Sequence, residues 1–298
     1  MAGFLKRILS PKPAIDTAAD ATHQPREDRW PPIVIIALGF LAIIAFIFIF
    51  ADLIAPYDYR TQSLLNRLKP PVFMGGSSQF LLGTDELGRD ILSRLIYAIR
   101  FSIMVALAGT AIGAMLGTLL GFIAAHFRGY VEEVIMMMVD VQASLPFILI
   151  ALAVVAFFGG GFGLFILLMG VYGWEVFARL TRGMVIQANT HGYAVALSSL
   201  GASPARIYMR HVLPNILSVL IVQFTLNFPQ TILLETSLSF LGLGIRPPLT
   251  SLGQMLGAGR VHLLTAVLPG MVIFLTTLSI SIVGDWLRDR LDPTLSGR

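Results

Sequence analysis

The sequence predicts an all-α polytopic membrane protein with six transmembrane helices. Apolar residues fill 56% of its 298 positions and charged ones only 13%, against about 25% charged in soluble domains. Long uncharged runs recur along the chain. Each can cross a hydrocarbon core of about 30 Å at about 1.5 Å per residue. Between two of these runs lies a polar, basic stretch, His191 to Asn215, that a membrane interior does not accept. Cysteine is absent, which excludes disulfides, thiolate catalysis and cysteine metal sites. The formal net charge of +4 bears on membrane orientation rather than on nucleic acid, and no nucleic-acid partner is expected.

Residues 1–32 form a polar tail with Lys6, Arg7, Lys12, Arg26 and Arg29. It is not a cleavable signal peptide, because the apolar run that follows starts late, is long and lacks a small-residue cleavage site. The first transmembrane helix covers residues 33–53, around an uncharged run of 18 from Ile33 to Phe50. Residues 54–97 leave the membrane, punctuated by Pro56, Pro70, Pro71, Gly75 and Gly76. Within them, Gly83 to Asp90 is expected to open an amphipathic surface helix. Thr84 is its N-cap, Asp85 and Glu86 stand in the first turn, and Leu87, Ile91, Leu92, Leu95 and Ile96 form its apolar stripe. A catalytic reading of Asp85, Glu86 and Asp90 weighs less than this capped helix.

The second span runs from Phe101 to Ala125, 25 residues without charge. Gly109, Gly113, Gly117 and Gly121 recur at every fourth position, so one helix face is bare backbone. In lipid such a face is a packing seam, within the subunit or with a partner. The third span is expected over Val131 to Phe158, with Asp140 and Pro146 inside it. An intramembrane carboxylate is a functional candidate by default, yet the arginines near Asp140 favour a structural pairing. Gly159-Gly160-Gly161 interrupts the chain, and Phe162 to about Arg179 returns across. Glu175 and Arg179, at i,i+4 spacing, are expected to form a local ion pair.

The 191–215 stretch is punctuated as two short helices and a bend. Tyr193 to Leu200 contains no Gly or Pro, and Gly201 supplies the left-handed residue that stops a helix. Ser203 caps the next one, with Pro204 at its first position. Arg206 and Arg210 share a face at i,i+4, and Pro214 is expected to end the segment. A compact helical knuckle outside the bilayer suits docking against another protein. Beyond it, Ile216 to Leu234 spans with a kink at Pro229. Glu235 follows, and Ser239 to Leu256 is too rich in Gly and Pro to span. Leu263 to Val283 is the last span. The core therefore covers residues 98–287, with a tail over 288–298.

The order Ala196…Gly201, then His211-x-Leu213-Pro214, resembles the EAA loop of bacterial ABC-transporter permeases. The words Leu200-Gly201-Ala202-Ser203, Arg206-Ile207 and Arg210-His211-x-Leu213-Pro214-Asn215 resemble the dipeptide/oligopeptide/nickel branch, specifically its C-type permease subunit. Three further stretches are similar to the same branch: Leu82 to Leu95, Ser239 to Leu256 with Leu252 where a Trp is usual, and Gly284 to Pro293. The resemblance covers about residues 33 to 293. Val195 stands where the motif has its Glu, and Leu197 where it has its second Ala.

The resemblance implies a type I ABC importer permease core with an extra N-terminal helix and an extracytoplasmic loop. It implies a heterodimer with a sister permease, two cytoplasmic ATPases and an extracytoplasmic solute-binding protein, all at the lipid of the bacterial inner membrane. The ATPase-coupling residues would be Tyr193, Val195, Ala196, Leu197, Leu200, Gly201, Ala202, Ser203, Arg206, Arg210, His211, Leu213 and Pro214. Peptides suit the branch best, with nickel, glutathione-like compounds and opine conjugates open.

No P-loop exists, since Lys6, Lys12 and Lys69 are the only lysines and none follows a glycine. H-E-x-x-H and G-x-S-x-G are absent. An enzyme is not expected, nor a metal or cofactor, and ATP would be bound by partner subunits. The alternative is an ion-coupled secondary transporter or channel subunit without an ATPase, but that class places coupling carboxylates near the midplane. Six spans put both termini and the knuckle on one side, which holds 13 of the 21 Lys and Arg. That excess predicts a cytoplasmic location for them.

Overall fold

The computed structural model describes residues 30–189, 203–259 and 263–291. Among them α1 spans Pro32–Ile54, α2 Ile91–Phe127, α3 Gly129–Ser144, α4 Phe147–Phe158, α5 Phe162–Val171 and α6 Trp174–Asn189. After the loop come α7 (Pro204–Ile207), a π-helical turn (Tyr208–Val212), α8 (Leu213–Phe240), α9 (Leu252–Ala258) and α10 (Leu263–Leu291). Five helical stretches are long and apolar enough to cross a membrane, and a sixth is counted when the bent pair α3–α4 is taken as one span.

Helices run past the ends of their apolar stretches. The expected boundary at 97/98 falls inside the 37-residue α2, and that at 287/288 inside α10. Surface amphipathic helix and second span are one continuous rod, because no residue between Ile91 and Phe101 breaks it. Conversely, two expected single spans are broken. The third splits at Leu145-Pro146, with α3 and α4 meeting at 95°. The fourth breaks at Tyr172-Gly173, where Gly173 takes φ +83.

The stretch Gly83–Asp90 is a turn and not the start of a helix. Gly88 adopts φ +70. Asp85 Oδ1 accepts from the backbone N–H groups of Leu87 and Arg89, both at 2.9 Å, and so closes the chain on itself. The N-cap is Asp90, whose Oδ2 accepts from Ser93 N at 2.8 Å. Thr84 instead ties the loop together, accepting from Lys69 N at 2.8 Å and donating to the Asn66 carbonyl. Asp85 Oδ2 takes the Arg89 Nε at 2.8 Å and the buried Arg94 guanidinium. Burial pushes the Asp85 carboxyl up, but Arg94, then the Arg89 backbone and side chain, outweigh it and hold it below its ordinary 3.8. Asp85 and Asp90 thus hold the loop and cap the helix, while Glu86, expected in a first helical turn, is exposed on the loop.

Around α2 the other helices assemble. α1 packs on its first turns, where Asp52 accepts from Tyr97 Oη at 2.8 Å and from Arg100 at 2.7 Å. Ile44, Ile91, Leu95, Ile99, Ile232, Met255 and Ile273 bring α1, α2, α8, α9 and α10 into one core cluster. The glycine face looks at α5 and α6, so the seam lies within the subunit. A Cβ on Gly113 would stand 3.1 Å from the carbonyl oxygens of Gly170 and Tyr172, and one on Gly121 2.7 Å from that of Ala178. On Gly109 it would strike the Met169 Cβ, and on Gly117 the Trp174 carbonyl oxygen.

Two outcomes follow for stability. Gly117→Ala should destabilise by about 1–3 kcal/mol through overpacking, whereas Gly39→Ala, with nothing within 4 Å of its new Cβ, should not. Thermal melts of the purified complex separate them, and equal effects would dismiss the seam. Because Asp85 has its folded value lowered, its contribution is complete above the unfolded value and disappears as pH falls through the folded one. Asp85→Asn should cost on the order of 3 kcal/mol at pH 7, since it leaves the buried Arg94 unpaired. Its deficit relative to the parent should shrink below about pH 4, which melts across pH will check.

Candidate functional site

The 191–215 stretch, expected to couple to an ATPase, enters the described region at Ser203. Tyr193, Val195, Ala196, Leu197, Leu200, Gly201 and Ala202 lie outside the described residues. Ser203 is exposed; its carbonyl accepts from Ile207 N at 3.1 Å and its Oγ from Arg206 N at 3.4 Å, as an N-cap does. Pro214 does not end the segment. It stands in the first turn of α8, and the chain is helical from Pro204 to Phe240. Pro214 has no N–H to give the Arg210 carbonyl, and the preceding turn widens to π geometry, with Leu213 N reaching Tyr208 O.

This end has a buried and an outward side. Ile207 and Val212 are buried with Phe177, Val185 and Ala188 of α6 and Ala125 of α2, and Leu213 packs partly buried against them. Tyr208 sits against the end of α2, its ring 5.5 Å from Phe122 and 5.6 Å from His126. Its hydroxyl is 3.2 Å from His126 Nδ1. Arg206, Met209, Arg210 and Pro214 are exposed, and His211 is half-buried. Two cations flanking a methionine thus face outward from a turn bolted to α2 and α6.

A second constellation joins the two helix breaks. Gln142, near the end of α3, donates to the Val171 carbonyl at 2.6 Å and to Glu175 Oε2 at 2.9 Å. It also accepts from Trp174 Nε1 at 2.6 Å. The break between α5 and α6 frees polar backbone groups, and one amide side chain satisfies the Val171 carbonyl. Glu175 therefore turns to Gln142, while Arg179 pairs with Asp140 at 3.0 Å, so the expected Glu175–Arg179 pair is replaced by two links to α3. Arg182 pairs with Glu132 to complete the staple. Asp140 has the structural partner that its arginine neighbours suggested. On the far side of the break, a Cβ on Gly173 would lie 2.6 Å from Asn227 Nδ2 of α8. Asn227 is itself bound by Thr231, which contacts Thr110 of α2 at 3.1 Å.

Sequence reasoning passed over Gln142, Trp174 and Asn227, which carry no charge, and took Glu235 only as the end of an apolar run. Glu235 is fully buried near the end of α8, where Ser239 Oγ donates to its Oε1 at 2.8 Å. An isolated carboxylate inside an apolar segment was the available signal. No group of three or more His, Cys, Asp or Glu able to hold a metal occurs among the described residues.

Known proteins place this architecture. The inward-facing MetNI methionine ABC transporter shares the fold, with a TM-score of 0.59 over 68% of this chain and 98% of that one, at 16% identity. The di/tripeptide transport system permease protein DppC of Pseudomonas aeruginosa is 40% identical over 267 residues, 87% of this chain and 88% of that protein. The glutathione transport system permease protein GsiD of Pectobacterium atrosepticum is 36% identical over 267 residues, 88% of this chain and 87% of that protein. Residues 32–71 match the N-terminal TM domain of oligopeptide transport permease C. Residues 117–297 match the binding-protein-dependent transport system inner membrane component. By that match the chain belongs to this family, as a multi-pass permease subunit of an ABC transporter and not as an enzyme or an ion-coupled secondary carrier.

Proposed function

We propose that this subunit forms half of the translocation pathway of an ATP-driven importer for di- or oligopeptides, tripeptides of the glutathione kind included. The observation that carries the substrate class is the near-full-length similarity to di/tripeptide and glutathione permeases. The complex is a heterodimer with a sister permease, served by two cytoplasmic ATPases and an extracytoplasmic binding protein. The termini and the 191–215 loop face the cytoplasm. The Lys and Arg excess supports that orientation, and so does the seating of Tyr208 beside His126, at the opposite end of α2 from Asp52. This chain binds no cofactor, and ATP is hydrolysed by its partners.

The outward side of the coupling turn supports ATPase docking. Arg206 and Arg210 supply charge around Met209, whose thioether adapts to an apolar groove. Val195, replacing the usual acid of the loop, makes the neighbouring contact apolar. ATPase closure would press this turn and swing the spans between inward- and outward-open states.

The test is reconstitution of the full complex in proteoliposomes with labelled di- and tripeptides. Peptide-dependent ATP hydrolysis and uptake are expected, and neither appearing with any peptide, while nickel is transported, would overturn the substrate class. Within that assay, Arg206→Ala should weaken ATPase association up to about fivefold at low salt and little at high salt, as an exposed ion pair of at most about 1 kcal/mol does. Val195→Glu should weaken it at both. Gly201→Pro should abolish stimulated hydrolysis while the chain remains inserted.

A further inference from the structure

A cavity of about 170 Å³ lies beside the first turn of α2, and Arg94 and Arg89 line it. Arg94 is 4% exposed, and its Nη1 donates to Asp85 Oδ2. The same oxygen takes Arg89 Nε at 2.8 Å, and Oδ1 takes the backbone N–H groups of Leu87 and Arg89, both at 2.9 Å. Two carboxylate oxygens offer about four lone-pair sites, so Asp85 is fully engaged. The Nε–H of Arg94 is left buried with no hydrogen-bond partner among the described residues. Such a donor is unfavourable, and native interiors keep few of them.

The other walls differ in chemistry. Glu86 lines the cavity as well. It is exposed, and it makes no ion pair or hydrogen bond among the described residues. Met255 and Ala258 of α9 supply apolar surface, and Thr265 of α10 closes the far side. Two guanidinium groups around one engaged aspartate leave an excess of N–H donors, which suits a carboxylate. A ligand carrying only a carboxylate would meet repulsion from Glu86. One that also carries an ammonium would satisfy both walls. An engineered cavity of about 150 Å³ holds benzene, so this one takes a molecule of similar size.

We infer that this cavity is a binding site for a small zwitterion, a free α-amino acid with a short apolar side chain. The ligand carboxylate accepts from Arg94 Nε–H and from Arg89, the ammonium donates to Glu86, and the side chain rests on Met255 and Ala258. The cavity stands at the end of α2 opposite the contact of His126 with Tyr208, so in the orientation proposed above it opens on the extracytoplasmic side. All of its lining residues belong to this chain, and the site is complete without a sister subunit. Its size favours a free amino acid over a tripeptide, which sets it apart from the transported substrate.

The test measures binding of labelled L-alanine to the purified complex without binding protein, with unlabelled competitors. Saturable binding is expected. Propionate, which lacks the ammonium, and L-alaninamide, which lacks the carboxylate, should each compete at least about tenfold less well than L-alanine. Ala258→Leu fills the cavity and should weaken L-alanine binding by about tenfold or more. Glu86→Gln should remove the advantage of L-alanine over propionate and keep that over L-alaninamide. If Ala258→Leu does not assemble, Glu86→Gln carries the test, because its side chain is exposed and has no partner to lose. No saturable binding, or binding that neither substitution changes, would overturn the inference. So would equal competition by propionate and L-alanine in the parent protein, which is the mark of a simple anion site. Peptide transport plays no part in this readout, so failure of the proposed peptide substrate would leave the result standing.

Discussion

Two helices break inside the apolar part of this protein, and every break frees carbonyl and amide groups where water is not available to meet them. The rest of the arrangement answers that constraint. At Tyr172-Gly173 the chain leaves α5 and enters α6, and the freed Val171 carbonyl is taken by Gln142 from the end of α3. Because α3 itself stops two residues later, at Ser144, the second break lies beside the first. The remaining side of the α5–α6 junction is covered by α2, and only a helix without side chains can come near enough. Gly113 and Gly117 meet backbone carbonyl oxygens of 170–174. The glycine repeat of α2 and the breakage of α5–α6 are therefore one feature seen from two sides.

This explains which parts of the fold were legible in the sequence. A strict four-residue glycine spacing is a pattern over 13 positions, strong enough to read as a seam, although its partner was not identifiable. Long uncharged runs gave the spans, but not where the helices end. A helix does not stop where the hydrocarbon does, so α2 and α10 continue through Arg94 and Arg288 without interruption. The breaks were hidden for the opposite reason. Apolar residues on both sides of Pro146 and Gly173 satisfy a hydropathy count whether the chain is straight or bent by 95°.

The site divides the same way. Family resemblance pointed to the 191–215 stretch, and local chemistry located the Ser203 cap. Pro214 misled because the π turn ahead of it widens the helix and accommodates the missing N–H without ending it. Asp140 and Glu175 were visible as charges, but their partners come from another helix. Only the antiparallel approach of α3 and α6 gives Asp140 to Arg179 and Glu175 to Gln142. A spacing rule within one helix has no access to that.

α2 and α8 are tied at both ends, and this sets what a push can do. Tyr208 meets His126 and Phe122 at one end, Leu238 is buried with Val105 near the other, and Thr231 contacts Thr110 between them. Two rods joined near both ends cannot slide past each other without breaking one joint. They can tilt together. The points of compliance along the helix from Pro204 to Phe240 are the π turn that begins at Tyr208 and the proline at 229. On the proposed docking of an ATPase at this turn, a push there would be shared with α2 from the outset, and through the glycine face of α2 it would reach the α5–α6 junction as well.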